Sequence, residues 1–156
     1  MAAIDDLKTL LSQDVSQLDT LAVILEKEKT CLASSDLRQL ETLTKEKNEL
    51  LGAVRERAKQ KIRTLVQMGY RPESGEPSRF IRSAGFSELF QLWQEADQKL
   101  RACRTLNQTN GRVISHLQKR LSRLTDIFRG ATGQQKLYGA QGQQTTVSSS
   151  TVLASA

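Results

Sequence analysis

Phe86–Phe128 reads FSELFQLWQEADQKLRACRTLNQTNGRVISHLQKRLSRLTDIF, and its residues form an unbroken series at alternating steps of three and four. The series is Leu89, Trp93, Ala96, Leu100, Cys103, Asn107, Asn110, Ile114, Leu117, Leu121, Leu124, Phe128, and no proline interrupts it. This spacing is the seam of a long α-helix, whose stripe must be covered by other helices. At about 1.5 Å per residue the helix spans roughly 60 Å, longer than a compact domain of this size. An elongated bundle is therefore expected. Two features of the stretch depart from a plain core. Asn107 and Asn110 put amides on the seam just before Gly111, and beyond Leu100 the flanking positions turn basic.

Working outward, Ile4, Leu7, Leu11, Leu18, Leu21, Leu25 and Leu32 keep the same spacing, with Asp14 and Glu28 in the two gaps. This predicts a first helix over about residues 4–33. Asp36, with Gln39 three residues on, suits the start of a second helix over about 36–68. So short a connection favours antiparallel neighbours. The inner face of that helix reads Leu40, Leu43, Leu50, Val54, Ala58, Ile62 and Leu65, with Lys47 the exception. Gly52 suggests close approach of another helix. Gly69 suits a left-handed cap, and Pro72 ends the element. Pro77 starts a short turn through Phe80 and Ile81, and the third long helix follows over about 86–129.

After Phe128 the chain changes character. Gly130, Gly133, Gly139 and Gly142 lead into a small, polar end with too little apolar area to offset ordering entropy. The expected architecture is all-α: an elongated antiparallel bundle or coiled coil of three long helices over residues 1–130, then a flexible C-terminal tail over 131–156. Within the tail, Leu137-Tyr138-Gly139-Ala140-Gln141-Gly142-Gln143 is a small apolar island. It is either inert or the anchor of a short binding motif.

Composition narrows the function. Of 156 residues only 4% are aromatic, so base-stacking platforms are scarce. Net charge is +6, yet residues 98–156 hold nine basic groups against Asp126 alone, so the imbalance belongs to the last part of the chain. Arg101, Arg104, Arg112, Lys119, Arg120 and Arg123 are either a solvated face or a surface for an acidic partner. Cys31 and Cys103 have no CxxC spacing and read as small buried hydrophobes. The start, MAAIDDLKTLL, has no basic region before an apolar run, so a reducing cytoplasm is expected. His116 stands alone, with no carboxylate pair, metal-ligand spacing, phosphate loop or nucleophile elbow. A binding protein is expected, not an enzyme, with no cofactor, metal or small-molecule substrate.

Asn107 and Asn110 allow two readings. They pair inside the bundle and set its register, or they floor a groove where the covering helices end. In the second case the groove continues along Gly111, Ile114, Leu117, Leu121, Leu124 and Phe128.

At these residues the sequence resembles the flagellar export chaperones of the FlgN type. The resemblance rests on Asp36-Leu37-Arg38-Gln39-Leu40-Glu41 with Thr44-Lys45-Glu46-Lys47, on Leu106-Asn107-Gln108-Thr109-Asn110-Gly111 with Ile114, and on the Leu137–Gln143 island. It implies a cytoplasmic helical bundle that holds hook-associated, hook–filament junction proteins by their C-terminal amphipathic helices. Such a protein prevents premature self-association and delivers its cargo to the flagellar type III export gate, where it resides transiently. Under that reading the groove residues take the cargo helix, and Leu137, Tyr138 and Gly139 contact the gate. The alternatives are a basic coiled coil that binds nucleic acid and a structural oligomerisation scaffold.

Overall fold

The computed structural model describes residues 2–141, with side chains described as far as residue 131. The order is α1 (Ala2–Ser34), α2 (Leu37–Gln67), a 3-10 turn (Pro72–Ser74), α3 (Pro77–Ser83) and α4 (Ser87–Gln141), with no strand among the described residues. None of these helices is long and apolar enough to cross a membrane. The fold is all-α, a helical bundle. It divides into two compact units, Met1–Asn110 and Gly111–Ala156.

In the first unit, α1 and α2 run antiparallel: Asp14 meets Lys61, and Glu28 meets Lys47. Contacts along α1 and α4 ascend together, from Lys8 with Glu88 through Asp19 with Lys99 to Leu25 with Asn110. These two helices are parallel, as an up-down-up bundle requires.

The joints are built by end chemistry. Ser35 takes the left-handed conformation (φ 59°), and Asp36 N–H closes on Cys31 O at 3.1 Å. Asp36 then caps α2, its carboxylate accepting from Gln39 N–H at 3.2 Å. At the far end of α2, Gly69 (φ 104°) donates to Val66 O and Tyr70 N–H to Leu65 O, a Schellman closure. Asp36→Ala is expected to lower stability by about 1 kcal/mol, the usual value of a helix cap, and a thermal melt measures it.

Near this end Leu7, Leu11, Leu65, Tyr70, Ile81, Leu89 and Ala96 form a buried cluster, with Trp93 and Phe80 packed against it. The short α3 inserts the fully buried Ile81, while Tyr70 stacks at a tilt on Phe80 and donates its hydroxyl to Gly75 O at 2.7 Å. The loop is thereby tied to the core. A second cluster joins Leu18, Leu21, Leu25 and Cys103. Burial pushes the Cys103 thiol above its ordinary pKa, so it packs as an apolar group and donates weakly to Leu18 O.

Both gaps in the α1 stripe are filled by ion pairs. Asp14 sits 2.5 Å from Arg57 Nε and 2.5 Å from Lys61 Nζ. Gln17 also accepts from Arg57, and Lys61 lies 5.1 Å from the centre of the Trp93 ring. Glu28, fully buried, pairs with Lys47 at 2.9 Å. The exceptions Glu28 and Lys47 are therefore partners of one another, while Asp14 takes Arg57 and Lys61, which the spacing did not single out.

Three expectations are corrected. The inner face of α2 passes through Arg57 and Lys61, which leaves Ala58 and Ile62 exposed. The long cationic side chains reach Asp14 while their methylene stems pack inward. Gly52 marks no close approach, since a Cβ there would meet nothing within 4 Å. Finally, α4 continues to Gln141 instead of stopping at 129. Each added residue closes one more backbone bond on an existing helix, so extension past the glycines is easier than nucleation there. The rest of the expected tail, residues 142–156, lies outside the described residues.

Candidate docking surface

The residues of α4 that meet α1 and the first unit's core recur every seven positions: Leu89, Ala96, Cys103 and Asn110 are all buried. Asn110 is 1% exposed, and its amide nitrogen donates to Leu25 O at 2.9 Å and to Glu28 Oε1 at 3.0 Å. With Lys47 on the other carboxylate oxygen, Glu28 joins α1, α2 and α4 in one polar layer. Of the two readings open for Asn110, this contact is the one inside the bundle: its amide nitrogen is held there, while its Oδ1 is buried with no hydrogen-bond partner. An amide at a seam position facing a single carboxylate selects one register over neighbouring ones. Asn107 is only half-buried.

Glu28 was visible in the sequence as a gap in a stripe, and Asn110 as an amide on a seam. No spacing along either helix shows that the two meet, because that depends on the α1–α4 offset.

The seven-residue recurrence continues in the second unit at Leu117 and Leu124, but there the side chains are 38% and 65% exposed. Leu121 and Phe128 beside them are 66% and 73% exposed, and Ile114 is half-buried. Gly111 is exposed, and a Cβ on it would meet nothing within 4 Å, so no helix presses on this glycine. One apolar stripe thus changes from covered to open after Asn110. A contiguous line of large apolar side chains in water marks a binding surface more often than scattered exposed leucines do. Chemically it can hold an amphipathic helix, by insertion of side chains at steps of three and four.

The basic residues divide in the same way. In the first unit Arg101 is paired with Asp97 on its own helix, and Arg104 is exposed. In the second, Arg112, Lys119, Arg120 and Arg123 are exposed, as is His116. Leu137, Tyr138 and Gly139 fall on the α4 backbone, and their side chains lie outside those described.

Comparison with known proteins agrees with the resemblance carried by the asparagine-glycine and leucine-tyrosine-glycine motifs. The model of the FlgN protein family matches residues 1–146. The flagella synthesis protein FlgN of Proteus mirabilis is 30% identical over 142 residues, covering 89% of this chain and 90% of its own length. No solved structure matches the chain. A match spanning all four α-helices and the open stripe is a match to the whole bundle, and the chain belongs to the FlgN family.

Proposed function

We propose that this protein is a cytoplasmic flagellar export chaperone. It holds hook-associated junction proteins by their C-terminal amphipathic helices, keeps them from associating prematurely, and delivers them to the type III export gate. The observation that carries this reading is the open stripe Leu117, Leu121, Leu124 and Phe128 on α4, in a chain of the FlgN family. The relative from Proteus mirabilis is named for flagella synthesis, which supplies the biological setting. Holding needs no catalytic step and no nucleotide: a helix laid on the stripe removes both apolar faces from water.

The test is calorimetric titration of the chain with a synthetic C-terminal helix of a hook-associated protein. Saturable one-to-one binding is expected. Retention on heparin or DNA with no peptide binding would favour the nucleic-acid reading, and self-association without cargo would favour the scaffold.

Release to the gate is assigned to Leu137, Tyr138 and Gly139. A tyrosine offers a large ring and a hydroxyl at low entropic cost, which suits a brief anchoring contact. Tyr138→Ala is expected to leave the melting temperature and cargo affinity nearly unchanged while lowering the cargo secreted into the medium. A marked fall in melting temperature would place Tyr138 in the packing and remove the handover role. Normal secretion would make the island inert.

A further inference from the structure

The open stripe of α4 has two unlike borders. At about 100° per residue, Arg120 falls on the same line as Val113 and Ile127, which widen the stripe on one side. His116 and Arg123 stand just outside that line, with Arg112 and Lys119 behind them. The opposite border is Thr125, Gln118 and Ser122, with Arg129 its one charge. His116 and all these arginines and the lysine are exposed, and among the described residues none of the arginines or the lysine has a carboxylate within ion-pair range. Asp126, the one acidic residue of this unit, lies on the back of the helix and is half-buried.

Such one-sidedness discriminates among occupants. A membrane surface takes an amphipathic helix with cations on both flanks, at headgroup level on each side of the apolar face. Here one flank is nearly neutral. Nucleic acid would use the cations and leave the leucines in water, with Phe128 alone to stack on a base. A second copy of this stretch brings more cations and only Asp126 to answer them. An amphipathic helix with carboxylates beside its apolar face satisfies the stripe and the cationic border together.

We infer that the helix received by α4 is acidic along one flank, and that Arg120 and Arg123 select it by charge while Leu121, Leu124 and Phe128 hold it. This rests on the chaperone reading and adds the chemistry of the cargo. Exposed cations at the rim of an apolar contact contribute more to choice of partner and to association rate than to total affinity. A neutral amphipathic helix therefore still binds, but less well.

The test uses the full chain and three synthetic amphipathic helices of about three heptads, identical at their apolar positions. One flank carries glutamate, glutamine or lysine. The expected order of affinity is glutamate, then glutamine, then lysine, with roughly three- to tenfold between the first two at low salt. That gap should shrink as salt is raised. In the Arg120→Gln/Arg123→Gln variant the preference for glutamate over glutamine should vanish. Equal binding of all three peptides overturns the inference and leaves the chaperone reading standing. If none binds, both fall. A glutamate preference that survives the double substitution places the selecting charge elsewhere and also overturns it. So does binding to anionic phospholipid vesicles that the glutamate peptide does not displace.

Discussion

Asp14→Ala is expected to destabilise the bundle by about 3–5 kcal/mol, a large share of the roughly 5–15 kcal/mol that holds a domain folded. Asp14 is 2% exposed and balances both Arg57 and Lys61. Without it, two cations stay at a largely buried site, with Gln17 and the Trp93 face as poor substitutes for a carboxylate. The penalty comes from leaving charges unpaired, and it is not the net worth of the cluster. Exchanging all three groups at once, as Asp14→Leu/Arg57→Met/Lys61→Met, should therefore recover most of the lost stability. The exposed pair of Lys8 with Glu88 is the control: Glu88→Gln should change stability by no more than about 0.5 kcal/mol. Urea denaturation measures all three. A loss below about 1 kcal/mol for Asp14→Ala would mean that water already solvates the site.

The same cluster marks the limit of what could be read from the chain. Leu7, Leu11, Leu18, Leu21 and Leu25 were legible as the inner face of α1, because burial follows the helical period directly. Asp14, Glu28 and Lys47 were legible only as interruptions. Their meaning lies across helices, and a spacing along one helix holds no information on its register against another. For the same reason the inner face of α2 was read through Ala58 and Ile62, which have the apolar composition, instead of Arg57 and Lys61, which have the partners. Asn107 and Asn110 were equivalent in sequence. Only the α1–α4 offset puts Asn110, and not Asn107, against Glu28. The stripe from Leu117 onward was legible as apolar, but an open groove was only one of two readings for it. A seam looks alike in sequence whether its cover is this chain's own helix or a partner's.

That equivalence leads to the sharpest separation of stability from function. Leu121→Gln/Leu124→Gln/Phe128→Ser removes apolar area that this chain leaves in water, at 66%, 65% and 73% exposure. Substitutions at such positions usually move stability by no more than about 0.5 kcal/mol each, so the melting temperature should barely change. Docking of a cargo helix is another matter. A fully buried leucine or phenylalanine contributes about 1.5–3 kcal/mol, and a side chain covered on one face contributes roughly half of that. Three together come to about 2.3–4.5 kcal/mol, which at 1.4 kcal/mol per decade is roughly a fortyfold to thousandfold loss of affinity. Calorimetric titration of the triple variant with the hook-associated C-terminal helix, beside a thermal melt, reads both quantities. A large fall in melting temperature would mean that these side chains are already covered in the free protein. An unchanged affinity would move the cargo away from α4, toward the open groove between α1 and α4 lined by Ala22, Lys99, Ala102 and Leu106. The combination expected here is a folded chain that no longer holds cargo. It follows from a stripe whose period is kept past Asn110 while its cover, in this chain alone, is not.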